Sequence, residues 1–290
     1  MSYRNVIITR RCKLDTKMGY LVIRDENVKR IFLDEIDMIM LENPAVSLTG
    51  CLIEELTNRK IKLIFCDKTH SPVAETVACH GSHDSSMKIR MQSAWTEKVK
   101  GLVWQRIVAR KIHMQAEFLR ELGYEREERL LAEYEQAVLP HDSTNREGHA
   151  AKVYFNALFG MDFARSEESP LNAALNYGYT MLNSAFNREI VANGYLTQIG
   201  IFHDNMFNHF NLTSDIMEPF RILVDRMVYK MNPQQFEKDE RHALWQLFSE
   251  AVTYKGNVQL VSAAIRLYTK NVLDCISNGT PDDIVFYEHL

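Results

Sequence analysis

A chain of 290 residues with 46% hydrophobic and 25% charged side chains has globular composition, which excludes a disordered or low-complexity protein. No apolar run reaches the length of a membrane-spanning helix. The net charge of −4 excludes a general attraction to polyanions but hides an asymmetry: residues 1–85 balance, residues 86–113 carry seven basic groups against one acidic, and residues 114–290 carry 15 basic against 25 acidic.

From Val6 to Val77 the pattern predicts strands. VIIT, YLVIR, VKRIFL, IDMIML and IKLIFC are short, β-branched-rich runs set off by turn clusters such as Asp25–Asn27 and Asn43–Ala45. A short helix is expected over Thr49–Asn58, and the β-rich domain is expected to end near residue 85. Cys66, His70, Cys79 and His83 are zinc-type ligands in the spacing C-x3-H-x8-C-x3-H. That is not the spacing of a common finger, and Cys66 sits in an apolar strand, so a structural role is favoured. The five cysteines form no CxxC pair and MSYRNVIITRR has no signal-peptide pattern; a reduced, cytoplasmic, non-membrane protein is expected.

At Met87 the period changes to that of a helix. Met87, Met91, Ala94, Trp95, Val99, Leu102 and Val103 recur at helical spacing, with Lys88, Arg90, Lys98, Lys100, Arg106, Arg110 and Lys111 among them. Two readings stand side by side: a phosphate-tracking surface, or an amphipathic helix with a solvated basic face. Trp95 and Trp104 are assigned to the core. Helices are then expected over Glu125–Leu139, through Ala150, Tyr154 and Leu158 to Gly160, from Pro170 to Ala192, from near Asp215, and over Arg241–Tyr254 and Gln259–Ile276. The expected fold class is α+β: a small N-terminal β-rich domain, residues 1–85, followed by a large all-helical domain, residues 86–290, entered through the basic segment 86–113.

The chemistry concentrates between Ile201 and Arg221. His203 and Asp204 are followed by Asp215 and Glu218, three residues apart at an expected helix start where Pro219 fits the first turn. That spacing puts both carboxylates on one face, beside a loop histidine, an arrangement suited to a divalent metal. Glu147 has a structural alternative, because Thr144 to Glu147 fits a capping box.

Arg146-Glu147-Gly148, Ala151 and Tyr154; Asn172, Leu175 and Tyr177-Gly178-Tyr179; Gly194-Tyr195, Gly200 and His203; and Asp215, Glu218 and Phe220-Arg221 occur in that order. This ordered set resembles the CRISPR-associated adaptation integrase family, which inserts new spacers into CRISPR arrays, and the resemblance covers essentially the whole chain. GSHDSSMKIRMQSAW further resembles members from type II systems. The resemblance implies Glu147, His203 and Glu218 as ligands of Mg²⁺ or Mn²⁺, with Asp215 as the acid that supports or shares the site. Glu218 stands where some members have aspartate. It also implies double-stranded DNA substrates (incoming spacer DNA and the CRISPR array), a homodimer built through the N-terminal domains, and a small ferredoxin-like partner that bridges two dimers. The type II effector nuclease is a further candidate partner.

The expected reaction is attack of a DNA 3′-hydroxyl on a phosphodiester, for which a divalent ion neutralises phosphate charge and activates the nucleophile. His203 has a second role open to it, as proton acceptor for the hydroxyl. Lys88, Arg90, Lys98, Arg146, Lys152 and Arg221 are the expected DNA-binding residues, with Arg188 near the site. Arg221 has a salt bridge to the acids as its alternative. The competing functions are a repair-type metal nuclease using water and a non-enzymatic DNA-binding scaffold in which Glu147 only caps its helix.

Overall fold

The structure, a computed structural model, describes residues 4–70, 72–79 and 82–289. The chain divides into two units between His83 and Asp84. In the first, β1 (Arg4–Ile8), β2 (Lys13–Lys17), β3 (Tyr20–Arg24), β4 (Val28–Phe32), β5 (Ile36–Leu41), β6 (Ser47–Leu48), β7 (Lys62–Cys66) and β8 (Pro72–Glu75) form two sheets. One has the order β1-β5-β7-β8 and the other β4-β3-β2-β6. β5 lies between β1 and β7, parallel to both, so every one of its residues is buried and IDMIML reads as a continuous apolar run. Helix α1 (Gly50–Asn58) starts at Thr49, whose hydroxyl accepts from the Leu52 amide, and buries Leu52 and Leu56. The β2 segment KLDTK escapes the strand pattern because only Leu14 of its five residues is fully buried. Cys66 is buried at the end of β7, His70 Nδ1 lies 3.0 Å from the Glu42 carbonyl oxygen, and Cys79 is exposed.

The second unit is mostly helical: α2 (Ser85–Ser93), α3 (Glu97–Glu121), α4 (Glu125–Gln136), α5 (Arg146–Phe159), α6 (Pro170–Ala192), α7 (Asn211–Ile216), α8 (Arg221–Met231), α9 (Lys238–Trp245) and α10 (Val261–Asn278). The hydrophobic spacing predicts one helix through residues 87–113, but Thr96 interrupts it: its hydroxyl accepts from the Val99 amide and starts α3 afresh. α3 is the central helix, packed against α4, α5, α8 and α10, and it buries Trp104, Ile107, Val108, Ile112 and Phe118. Each such side chain contributes about 1.5–3 kcal/mol of burial. α6 starts at Ser169, whose hydroxyl accepts from the Asn172 amide, with Pro170 in its first turn.

The expectation of an all-helical second domain needs correction. A three-stranded antiparallel sheet joins β9 (Ala251–Tyr254), β10 (Asn257–Leu260) and β11 (Glu288–His289). The expected helix over Arg241–Tyr254 ends with α9 at Trp245 and a 3-10 turn over Gln246–Ser249. Lys255 and Gly256 both have positive φ, 51° and 73°, which is the backbone of a two-residue hairpin turn and incompatible with a continuing helix. No helix among the described residues is long and apolar enough to cross a membrane.

Candidate active site

His203 sits in the loop between α6 and α7, and the loop is tied down from several sides. Gln92 of α2 is 2% exposed; its amide nitrogen donates to the Leu196 and Ile199 carbonyls, both at 2.8 Å, and its oxygen accepts from the Leu196 amide at 2.9 Å. Asn211 donates to the Gln198 and Asn205 carbonyls at 3.1 and 3.0 Å. Asp215, fully buried, completes the clamp. Its Oδ2 accepts the Ile201 and Phe202 amides at 2.6 and 3.0 Å, and its Oδ1 accepts the His203 amide at 3.1 Å. The same Oδ1 lies 2.6 Å from His203 Nδ1. Gly200 makes this packing possible, because a Cβ there would lie 2.2 Å from the His203 carbonyl oxygen and 2.8 Å from Asp215 Oδ2.

Asp215 and Glu218 therefore do not aim at one spot as their spacing predicts. Asp215 lies near the end of short α7, while Glu218 opens a 3-10 turn, Glu218–Phe220, that leads into α8. Asp215 is spent on the His203 loop, and its bond to Nδ1 leaves Nε2 as the outward nitrogen, the usual arrangement behind a histidine that ligates through its second nitrogen. The hydrogen bond from His203 to Asp215 outweighs burial and raises the imidazole pKa above its ordinary value.

Glu147 stands at the start of α5, yet its side chain does not cap the helix. Asn145 precedes α5 in the left-handed region with φ 52°, and Asp142 acts as the acceptor instead, taking the Arg146 and Glu147 amides at 2.8 and 3.0 Å. The capping box that was the structural alternative for Thr144 to Glu147 does not form, and the Glu147 carboxylate turns to Lys111 instead. Its Oε1 lies 2.5 Å from Lys111 Nζ, and Glu218 Oε2 lies 2.5 Å from the same nitrogen. Glu218 Oε1 accepts from Arg221 Nε at 2.9 Å. Burial opposes ionisation of Glu218, but Arg221 and Lys111 outweigh it and hold its carboxyl below the usual range. Burial likewise opposes the Lys111 charge, and Glu218 and Glu147 reverse the sign, raising its pKa.

Around these groups, Trp104 is fully buried, stacks on Phe202 with centroids 4.6 Å apart and meets the His203 ring in a T-shaped contact. A cleft of about 260 Å³ adjoins the carboxylates, lined by Lys111, Gln115, Arg165, Tyr179, Arg221 and Asp225 among others. The guanidinium groups of Arg221 and Arg165 lie over the Tyr179 ring at 4.7 and 5.4 Å. The Tyr179 hydroxyl donates to Asp225, whose carboxyl is pushed up to about 6 by burial. Tyr287 supports the Glu218 turn from outside: its hydroxyl donates to the Pro219 carbonyl at 3.0 Å.

The basic residues fare unevenly. Arg90, Lys98 and Lys152 are exposed. Lys88 lies over the Tyr195 ring at 5.1 Å and Arg146 over Tyr134 at 5.5 Å. Arg221 forms the salt bridge to Glu218 that was its alternative reading. Arg188 is only 9% exposed at its side chain and pairs with Glu189 at 2.7 Å, so it does not face a DNA track. Arg110 donates inward to the Tyr287 carbonyl. Sequence reasoning misses Lys111 as a site residue by grouping it with the basic face. It also misses Gln92 and Asp142. The one available signal is position: seven residues beyond Trp104, Lys111 falls on the helix stripe that carries the apolar core.

The donor types suit a hard divalent cation: two carboxylates that already share one cationic nitrogen, and an imidazole whose near nitrogen is held by an acid. Among the described residues no three His, Cys, Asp or Glu groups stand close enough to enclose a metal ion. At Glu147 and Glu218 the shared cation is Lys111. What speaks for a metal is therefore the chemistry of the donor set, with Lys111 held between the two carboxylates.

The sequence model of the family described as CRISPR associated protein Cas1 matches residues 6–246. The chain is 32% identical over 235 residues to the CRISPR-associated endonuclease Cas1 of Neisseria meningitidis serogroup C (strain 8013), covering 81% of this chain and 77% of that one. A casposase bound to integration product has a similar fold, with a TM-score of 0.76 at 16% identity over 96% of this chain and 91% of that one. A chain of a Cas6-RT-Cas1–Cas2 complex also gives a TM-score of 0.76, at 18% identity, covering all of this chain and 36% of that one.

Proposed function

Because the chain belongs to the Cas1 family of CRISPR-associated proteins, we propose that it is a metal-dependent DNA integrase and endonuclease of CRISPR adaptation. The observation that carries the reading is the convergence of Glu147 and Glu218 on one cation beside an Asp215-backed His203. The substrates are duplex DNA, the incoming spacer and the array. A DNA 3′-hydroxyl attacks a phosphodiester, forming one P–O bond as another breaks, so no nucleotide cofactor is needed.

Glu147, Glu218 and His203 through Nε2 would hold Mg²⁺ or Mn²⁺. When bound, the ion supplies charge neutralisation at a non-bridging phosphate oxygen and eases loss of the hydroxyl proton. Asp215 fixes the tautomer by keeping the proton on Nδ1. Arg221 keeps the buried Glu218 ionised and, with Arg165, adds positive charge at the cleft beside the reacting phosphate. Water in place of the hydroxyl turns the same residues to simple cleavage.

The partner readings belong to the same proposal. Met18, Tyr20, Val28 and Phe32 are exposed at 86%, 40%, 56% and 38% around the β3–β4 edge, an apolar margin suited to homodimerisation. A small ferredoxin-like subunit of the Cas2 kind is the proposed bridge between dimers, in line with the Cas2 component of the Cas6-RT-Cas1–Cas2 complex whose chain shares this fold. The resemblance of the Gly81–Trp95 stretch to type II members supports placing the chain in such a system, with the effector nuclease as a further partner and the cytoplasm as its place.

The test is transfer of a labelled duplex with free 3′-hydroxyls into supercoiled plasmid, with Mn²⁺, with EDTA and with Glu147→Ala. Metal-dependent label in the plasmid, lost in the variant, is expected. Cut plasmid without label would favour the repair nuclease. If metal and substitution change nothing even with the Cas2-type subunit added, the enzymatic reading fails.

A further inference from the structure

Lys111 projects from the middle of α3, and its side chain is 13% exposed. Its nitrogen is 2.5 Å from one oxygen of each of Glu147 and Glu218, so those oxygens lie no more than about 5 Å apart. The Glu218 side chain is only 4% exposed, and two cations pack against its carboxylate. Arg221 takes one oxygen and Lys111 the other. The two basic groups are not equivalent. Of the two carboxylates Arg221 pairs with Glu218, and it is braced on Tyr179, whereas Lys111 contacts both carboxylates at once.

A divalent ion held by both carboxylates would compete for the oxygens that the ammonium contacts. The lysine stem, unlike a guanidinium on a braced ring, has four rotatable carbons and can swing without moving α3. The adjoining cleft of about 260 Å³ offers a destination, because Asp225 lines it together with Lys111.

We propose that Lys111 is a built-in counter-ion that holds Glu147 and Glu218 together in the metal-free protein and is displaced when a divalent cation binds, so that it sets the metal affinity of the site. The inference rests on the reading of those carboxylates and His203 as metal donors. It assigns Lys111 a positioning role rather than a place in a DNA track.

The test needs no DNA. Mn²⁺ binding to the full chain is measured by titration calorimetry at fixed pH for the wild type, Lys111→Met and Lys111→Gln, and melting is followed with EDTA and with Mn²⁺. Both variants are expected to bind Mn²⁺ at least about tenfold tighter, to melt lower in EDTA, and to gain more in Tm from Mn²⁺ than the wild type does. Should the methionine variant fail to fold, the glutamine variant, which retains a hydrogen-bonding amide, carries the comparison. Equal or weaker Mn²⁺ binding in the variants would overturn the inference while leaving the metal reading intact. Absence of Mn²⁺ binding in every form, wild type included, would bring down the metal reading and this inference with it.

Discussion

A single carboxylate oxygen of Asp215 accepts both the backbone amide of His203, at 3.1 Å, and the imidazole Nδ1–H, at 2.6 Å. One atom thus fixes where the histidine is and which way its ring faces. The second oxygen accepts the two preceding amides, so the carboxylate has four donors and no capacity left for a metal. Asp215 acts through His203.

Asp215→Asn separates these duties. An amide has only one oxygen to accept with and presents an N–H₂ to donors that need an acceptor. Mn²⁺ affinity is expected to fall about 10- to 100-fold, as for loss of a carboxylate behind a ligating histidine. Tm should fall as well, because the amides of residues 201–203, that of Ile201 fully buried, lose their acceptor. Calorimetry and melting of the same sample check this; unchanged Mn²⁺ affinity would detach Asp215 from the metal.

The raised pKa of His203 gives a pH dependence with a definite sign. Because the folded value lies above the ordinary 6.5, the Asp215 pairing contributes stability fully below about pH 6.5 and loses it as pH rises through the folded value. The stability advantage of wild type over His203→Gln should therefore shrink as pH rises above about 6.5. Mn²⁺ binding should run the opposite way, strengthening over that range, because a ligating imidazole must be neutral. Urea melts and metal titrations across pH test both halves.

Asp142 and Glu147 invite a paired substitution. Asp142 accepts the first amides of α5, so Asp142→Ala is expected to cost about 0.5–2 kcal/mol of stability. Glu147→Ala leaves that cap in place and should abolish strand transfer with little loss of melting temperature through capping. A scaffold in which Glu147 caps its helix requires the opposite ranking, so denaturant melts of the two variants decide between them.

Asp225, which lines the same cleft as the carboxylates, provides a stability test at a group not assigned as a metal donor. Burial pushes its carboxyl from 3.8 up to about 6, so between those values the native state holds a proton that the unfolded chain releases. Stability falls as pH rises through this window, and the penalty is fully present above about pH 6. Asp225→Asn removes it. The variant's stability relative to wild type should rise by about 3 kcal/mol between about pH 4 and about pH 7, measured by denaturant unfolding. A flat difference would mean that Tyr179 and its neighbours already compensate the charge.

Much of the fold was legible because burial leaves a period. IDMIML and the Leu21–Ile23 centre of YLVIR are core by pattern and core in space, whereas of the apolar stripe from Met87 to Val103 only Val103 is fully buried and Met87 and Ala94 are exposed. The misses have physical reasons. β2 has only one fully buried side chain, and the Lys255-Gly256 turn sits inside a stretch whose composition also suits a helix. At the site, Glu147, His203 and Glu218 were visible as types in an order. Their relations were not. Whether Asp215 faces the metal or the histidine depends on a 3-10 turn that rotates Glu218 away from it, and whether Lys111 is solvated or buried depends on which helix packs over it.

The three hydrogen bonds of Gln92 have a mechanical meaning. They rivet α2, which carries Lys88 and Arg90 on its other faces, to the strip of backbone that ends in His203. Any load that shifts α2 by more than a few tenths of an ångström must either drag that strip along or shear all three bonds. The histidine therefore registers a pull on a helix whose basic groups never touch it.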